Sequence, residues 1–325
     1  MKVLPKVPND FLGIYIPTYN RKPYLEECLN SFIPQIKPYG FPIFISDNGS
    51  SDGTEAMVKK LKRSYPRIFY KNNGKNLGYC KNLINVLHMG NTQYVWTFGD
   101  DDAIKSGAIK IIVKNLQKSF DFLQLNCTIY SNDLKKIVES RYIKTSDTIY
   151  NKGDHEKAFL NSQHGYAGYM AQIIIRKDLL NLQLKSLDTN AIPLDFLHSI
   201  LFFRAIVNKK GKFISRPLIK NRSGNDRTGA GTLKLWLSTY PKTLDELSHL
   251  YSKKALNENS NFGIKTFVAI ANNSRKSYPN NILVYNKEII RSRINPLYKL
   301  ILLSVLTLPK PIVNLAISTA KIFTG

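Results

Sequence analysis

Three consecutive carboxylates, Asp100-Asp101-Asp102, follow the apolar, β-rich stretch Tyr94–Phe98 and are the residues of this sequence best suited to chemistry. Like charges packed side by side repel unless a cation or a set of donors compensates them. A hard divalent cation such as Mg²⁺ or Mn²⁺ does so with one or two carboxylates, and phosphate oxygens complete its shell. While the chain stays extended, residues i and i+2 share a face, so Asp100 and Asp102 are expected to point together as a metal pair. A cation there would bridge a diphosphate and stabilise it as a leaving group. The plainer alternative is a solvated acidic turn ahead of a helix beginning near Ile104.

Two further polar clusters also follow apolar runs. Thr18-Tyr19-Asn20-Arg21 comes after Phe11–Pro17, and Asp47-Asn48-Gly49-Ser50-Ser51-Asp52-Gly53-Thr54 comes after Phe41–Ser46. The octet is dense in turn formers and reads as a loop, with Asp52 or Thr54 placed to cap the next helix. A carboxylate such as Asp47 at a nucleotide site accepts a hydrogen bond from the imide N–H of uracil or thymine. It cannot do so from cytosine N3, itself an acceptor. The alternative, an Asx-turn residue, fits Asp52 better than Asp47.

The elements that must position these clusters alternate regularly. Helices are expected over Pro23–Phe32, Thr54 to about Ser64, Gly78–His88 and Ile104–Leu116, with further strands at Ile68–Tyr70 and Phe122–Cys127. Such alternation means βαβ units and a largely parallel sheet, whose ligands bind beyond the carboxyl ends of the strands. All three clusters fall at such ends and are expected to share one crevice. In the second half, Tyr169–Ile175 reads as a strand, Pro193–Val207 as helical and Phe213–Ile219 as extended. Arg222–Gly231 reads as a basic, Gly-rich loop, and Leu233–Leu256 as a helix kinked near Pro241.

The charge is lopsided: 47 Lys and Arg against 23 Asp and Glu give +24. Such an excess attracts polyanions, whether nucleic acid, an anionic bilayer or a pyrophosphate-bearing substrate, and it equally fits a Lys-rich composition that merely solubilises. A nucleic-acid binder needs a basic stripe with stacking aromatics or a known module, and neither is present. GxGxxG, GxxxxGK[ST] and GxSxG are absent, which removes the main signatures of dinucleotide oxidoreductases, P-loop enzymes and α/β-hydrolases. Cys28, Cys80 and Cys127 are scattered with no CxxC, so they read as buried thiols of a reducing compartment. The MKVLPKVPND start has no apolar stretch behind its charge, so a cytoplasmic protein is expected.

Four motifs, spaced and in order, make the first third of the chain resemble the GT-A-fold, family 2 glycosyltransferases. Ile14-Tyr15-Ile16-Pro17-Thr18-Tyr19-Asn20-Arg21 is like the family's opening strand and turn, and Ser46–Thr54 is like its D(D/N)GSxDGT loop. Asn76-Leu77-Gly78-Tyr79-Cys80-Lys81-Asn82 is like its NxGxxxxxN-type segment, and Phe98–Asp102 is like its strand-end DxD. The resemblance implies an α/β, Rossmann-like fold with a mostly parallel sheet flanked by helices. It also implies transfer of a sugar from a nucleotide donor, usually with inversion and with Mn²⁺ or Mg²⁺. Pro17, Thr18, Tyr19 and Arg21 would line the nucleotide pocket, with Asp47 and Asn48 at the base. Lys75, Asn76 and Asn82 would lie near the ribose or phosphates, Gly78 would allow a close backbone approach, and Asp100 and Asp101 would face the diphosphate. Many relatives carry Asp where Asn48 stands. The DxD register has two readings: Asp100 with Asp102, the chemical pair favoured here, or Gly99 first and Asp101 second.

The family also uses a downstream carboxylate to deprotonate the acceptor hydroxyl. Asp195, an acid amid the apolar neighbours of Ile192–His198, is the candidate, since burial would raise its pKa. His198, three residues on and on the same helical face, is the substitute. An N-cap role for Asp195 and a core or surface position for His198 are the alternatives. Arg222 and Arg227 could clamp the diphosphate or the acceptor.

These readings divide the chain into a catalytic domain over residues 1–230, with a nucleotide-sugar half 1–120 and an acceptor half 121–230, and a helical region 231–325. The latter ends in an apolar, amphipathic tail, 296–325, interrupted at Pro309-Lys310-Pro311. A twelve-residue helix spans about 18 Å, short of the roughly 30 Å hydrocarbon core, so the tail is expected to lie in an anionic interface rather than to span it. Packing on the catalytic domain, or between protomers, is the alternative. The expectation is an inverting, metal-dependent transferase, peripheral on the inner face of the cell membrane. It would use a UDP- or dTDP-sugar and a glycan or polyprenyl-diphosphate-linked acceptor in surface polysaccharide biosynthesis. A polyanion binder or an inactive scaffold of the same fold are the alternatives.

Overall fold

The computed structural model describes residues 5–162, 169–188, 194–223 and 239–260, with positions 235 and 303. The chain divides into two compact units, Met1–Ser162 with Tyr166–Asn225, and Gln163–Gly165 with Asp226–Gly325. The strands of the first unit are β1 (Leu12–Thr18), β2 (Ile43–Asp47), β3 (Ile68–Asn72), β4 (Tyr94–Thr97), β5 (Ala103–Ile104) and β6 (Phe122–Tyr130). They continue with β7 (Ile137–Glu139), β8 (Thr148–Tyr150), β9 (Ile173–Arg176) and β10 (Gly211–Arg222). Its helices are α1 (Lys22–Ile36), α2 (Thr54–Ser64), α3 (Tyr79–His88), α4 (Ala108–Leu116), α5 (His155–Asn161), α6 (Lys177–Lys185) and α7 (Leu197–Ala205). In the second unit the described helices are α8 (Tyr240–Asp245) and α9 (Lys253–Ser260), with Pro241 in the first turn of α8.

One sheet runs β3-β2-β1-β4-β9-β6-β10-β5, with β7 beside β6 and β8 beside β10. The β3-β2-β1-β4 side is parallel throughout, as the βαβ alternation predicts. The far side is mixed. β9 enters antiparallel between β4 and β6, and β10 runs parallel to β6 and antiparallel to β5. The apolar run of β9 reads like any buried strand, and nothing in its local sequence carries its direction. Register breaks in the β6–β10 ladder flank Pro217, which has no N–H to donate.

Helix α1 buries Leu25, Cys28, Leu29, Phe32 and Ile36, one helical face against the sheet. It runs past the expected end at Phe32 and through Pro34, which falls in its last turn. Ile104, expected to open a helix, instead pairs with Ile219 as part of β5, and α4 starts four residues later at Ala108. Across the parallel strands, Tyr15, Phe44 and Phe69 are register partners and stack at 4.7 Å and 5.2 Å. Each such aromatic pair contributes about 0.5–1.5 kcal/mol beyond its buried area.

Arg227 and the tail 296–325, apart from Leu303, lie outside the described residues. Among the described residues, no helix is long and apolar enough to cross a membrane.

Candidate active site

The turn after β1 is the hub of the site. Asn48 N–H and Asn82 Nδ2 both donate to the Thr18 carbonyl, at 2.9 Å and 3.2 Å. Thr18 Oγ1 donates to Asp100 Oδ2 at 2.7 Å. Asn20 N–H donates to Ser50 Oγ and Asn20 Oδ1 accepts from Ser51 N–H, each at 2.8 Å. Asp52 closes the junction, taking Lys22 N–H at the start of α1 and, as the Asx-turn residue expected, Thr54 N–H. The three polar clusters thus converge as the strand-end argument predicts, through direct bonds. Pro17 is buried inside β1, opposite Ser46, and Tyr19 beside it is 36% exposed.

The aspartates do not share one face. Asp100 and Asp101 lie in a turn, so the i, i+2 expectation for an extended chain fails. Arg21 Nη1 lies 3.4 Å from Asp100 Oδ1 and 2.5 Å from Asp101 Oδ2, so these two neighbours converge on one cationic nitrogen. Burial works against the Arg21 charge, but Asp101 and then Asp100 more than offset it and raise its pKa. Asp102 turns inward. Its oxygens accept from Asn221 Nδ2 at 3.2 Å and 3.0 Å and from Arg222 N–H at 2.9 Å. Burial, then the Asp101 charge, push its carboxyl well above the ordinary range against those donors.

Arg222, expected to clamp a substrate, is spent inside the protein. Its side chain is 3% exposed; Nε donates to the Asp101 carbonyl at 2.7 Å and Nη2 to Glu27 Oε2 at 2.5 Å. Nη1 donates to the Asn132 carbonyl, and the guanidinium lies 4.8 Å from the Tyr24 ring centroid. It is a strut tying β10 and α1 to the aspartate turn.

Asp47 is fully buried at the end of β2. Its Oδ1 accepts from Ser50 N–H at 2.8 Å and its Oδ2 from the Tyr70 hydroxyl at 2.5 Å. An amide network surrounds it. Asn48 Nδ2 donates to Asn76 Oδ1 at 2.7 Å, while Asn48 Oδ1 accepts from Leu77 N–H at 2.8 Å. Asn73 Nδ2 donates to Asn82 Oδ1 at 2.9 Å. Asn76, expected like Asn82 beside ribose or phosphate, ties the loop after β2 to the loop after β3, and Asn82 ties the latter to α3. Lys75 is exposed. A Cβ at Gly78 would meet nothing within 4 Å. One at Gly49, whose φ is +81°, would sit 2.8 Å from the Lys75 backbone, so Gly49 is where close approach demands glycine.

Asp195 lies in a 3-10 turn, Leu194–Phe196, and is exposed, so the burial expected to raise its pKa is not found. His198 follows in the first turn of α7, its Nδ1 2.6 Å from the Tyr79 hydroxyl. Burial, then the neighbouring Cys80 and Asp195, push the Tyr79 phenol well above its ordinary value. The Tyr79–His198 pair joins the start of α3 to the segment carrying Asp195. The sequence reading missed Tyr24, Glu27, Tyr70, Asn73 and Asn221. Tyr70 alone had a local signal, lying two residues before the end of a strand beside Asp47.

Among the described residues, no three His, Cys, Asp or Glu side chains form a group that could hold a metal ion. A cation completed by phosphate oxygens needs only one or two carboxylates. Asp100 and Asp101, which already share one cationic nitrogen, fit that donor set. Asp102 differs: its carboxyl is taken up by Asn221 Nδ2 and Arg222 N–H instead of the Arg21 nitrogen that Asp100 and Asp101 share.

The model of the family described as "Glycosyl transferase family 2" matches residues 13–180. The chain is 32% identical over 227 residues to the abequosyltransferase RfbV of Salmonella typhimurium, covering 66% of this chain and 67% of that protein. It is 29% identical over 119 residues to the GalNAc(5)-diNAcBac-PP-undecaprenol beta-1,3-glucosyltransferase of Campylobacter jejuni, covering 36% of this chain and 38% of that one. Among solved structures, mannosyltransferase PcManGT from Pyrobaculum calidifontis, in complex with GDP-Man and Mn²⁺, aligns at TM-score 0.55 and 12% identity. That alignment covers 99% of this chain and 84% of that one. S. aureus TarS 1–349 in complex with UDP-GlcNAc aligns at 0.53 and 15%, covering 91% and 71%. At these identities the structural likeness speaks to the fold.

Proposed function

The chain belongs to glycosyl transferase family 2, and from that premise we propose that it moves a sugar from a UDP- or dTDP-sugar, with inversion, to a glycan or polyprenyl-diphosphate-linked acceptor in surface polysaccharide biosynthesis. The observation that carries the reading is the convergence of Asp100, Asp101 and Arg21 beside Thr18, at the carboxyl ends of β1 and β4. The names of the relatives support it: one is an abequosyltransferase, another acts on an undecaprenol-linked glycan. The exposed Tyr19 and the buried Asp47 carboxylate take the nucleobase, the carboxylate accepting its imide N–H. Asp100 and Asp101 would hold Mg²⁺ or Mn²⁺, and that cation would supply positive charge to the departing diphosphate. Arg21, already at this spot, turns its guanidinium to the phosphates as planar donors suited to them.

Asp195 is the general base of this proposal. Its exposure lets an acceptor hydroxyl reach it, and it takes the proton as that oxygen attacks the anomeric carbon opposite the diphosphate. The Tyr79–His198 bond holds the segment that carries it. The +24 charge favours an anionic acceptor at a membrane surface. The test is nucleoside diphosphate release from a panel of sugar nucleotides with a polyprenyl-diphosphate-linked glycan acceptor. Acceptor-dependent release from a UDP- or dTDP-sugar, lost in Asp195→Asn, is expected. Release from a GDP- or CMP-sugar alone contradicts the donor assignment, and no release from any sugar nucleotide contradicts the activity.

A further inference from the structure

We propose that Tyr70 is a positioning residue for nucleobase recognition, its hydroxyl fixing the Asp47 carboxylate as an oriented, acceptor-only group that selects a uracil or thymine imide. The proposal rests on the donor-site reading of Asp47 given above.

The geometry begins with register. Ile45 of β2 lies opposite Tyr70 of β3, and Asp47 lies opposite Asn72. Side chains alternate with period two, so Ile45 and Asp47 share one face of β2, and Tyr70 shares that face on β3. Tyr70 is therefore the diagonal neighbour of Asp47, within reach of an aromatic side chain. Its hydroxyl uses that reach to donate to Oδ2 at 2.5 Å, while Ser50 N–H fixes Oδ1 at 2.8 Å. Two donors on two oxygens leave the fully buried carboxylate no freedom to turn.

The chemistry follows from what each partner can donate. An ionised carboxylate offers only acceptors, about four lone-pair sites, of which two are taken here. Burial, then the bond to Asp47, raise the Tyr70 phenol far above its ordinary value, so its proton stays on its own oxygen. The phenol therefore remains a donor, and its bond to the Asp47 carboxylate is charge-assisted. Without the hydroxyl, Oδ2 loses the donor that fixes its direction, and the carboxylate can turn its lone pairs away from the imide N–H.

The experiment compares wild type, Tyr70→Phe, Asp47→Asn and the double variant in calorimetric titrations with UDP and CDP. Thermal unfolding of each variant accompanies the titrations. Tyr70→Phe, which removes one oxygen, is expected to weaken UDP roughly tenfold and to shrink the UDP-over-CDP preference, as loss of a charge-assisted bond does. With a sugar nucleotide it raises KM and leaves kcat near wild type. The double variant loses no more than Asp47→Asn alone, because Tyr70 acts through that carboxylate. Tyr70→Phe binding UDP within twofold of wild type with its preference intact overturns the proposal. So does equal weakening of UDP and CDP, or additive loss in the double variant, the marks of a merely structural role. Wild type that binds no uridine nucleotide, or prefers CDP, overturns the donor-site reading itself.

Discussion

Thr18 and Asp100, 82 residues apart in the chain, are joined by a 2.7 Å hydrogen bond from Thr18 Oγ1 to Asp100 Oδ2. The bond ties the end of β1 to the turn after β4, while the Thr18 carbonyl receives the Asn48 and Asn82 donors. One residue thus holds two loops and the start of α3. Thr18→Val keeps the shape and removes the hydroxyl, leaving Asp100 short of one donor at a cost of about 1–3 kcal/mol. Diphosphate affinity in the presence of Mn²⁺ is expected to fall about tenfold or more, read by calorimetry.

The three aspartates are expected to separate by role. Asp100→Asn and Asp101→Asn weaken Mn²⁺-dependent nucleotide binding with little change in melting temperature. Asp102→Asn sets an amide against the donors Asn221 Nδ2 and Arg222 N–H and lowers stability by about 1–3 kcal/mol. Denaturant unfolding of the three variants beside nucleotide titrations checks this. An Asp102→Asn protein of full stability that binds no metal would restore the Asp100/Asp102 pair.

Asn48 donates to Asn76 Oδ1 and accepts from Leu77 N–H, a combination open to an amide and closed to a carboxylate. Asn48→Asp therefore sets a charge against the Asn76 and Gly78 carbonyl oxygens. It is expected to destabilise by about 1–3 kcal/mol, measured by urea unfolding.

Lys177, at the start of α6, buries its ammonium against the Leu87 carbonyl, 5.3 Å from the Tyr15 ring centroid. Burial lowers its pKa from 10.5 to about 8. Between those values the unfolded chain binds a proton that the folded chain does not, so unfolding free energy rises with pH across that window. Relative to Lys177→Met, wild type is expected to gain stability from pH 8 to 10.5, by up to about 3 kcal/mol. Urea unfolding at a series of pH values reads the difference, and a flat one contradicts it.

The parallel half of the fold was legible because each of its strands ends in a polar cluster and each helix keeps one apolar stripe, as the face Leu25–Cys28–Leu29–Phe32 does. The convergence of the Thr18, Asp47 and Asp100 clusters followed from strand direction alone. The divergence of the aspartates did not. It depends on Asn221 and Arg222, which meet Asp102 across 119 and 120 residues of sequence. No local period encodes such a meeting. The contacts that Asn76 and Asn82 make within the protein were not legible, since an amide that binds a ribose and one that holds a loop look alike in sequence. The exposure of Asp195 was not legible for a similar reason: apolar neighbours in sequence do not bury a side chain that a 3-10 turn points outward.

The central claim, a nucleoside diphosphate site built on Asp47, Asp100 and Asp101, is tested most directly by calorimetric titration with UDP, dTDP, GDP and CMP, with and without Mn²⁺, on wild type and on the Asp100→Asn/Asp101→Asn double variant. Binding of UDP or dTDP that strengthens with Mn²⁺ and is lost in the double variant is the predicted result. Failure of every one of these nucleotides to bind wild type, with or without Mn²⁺, would contradict it.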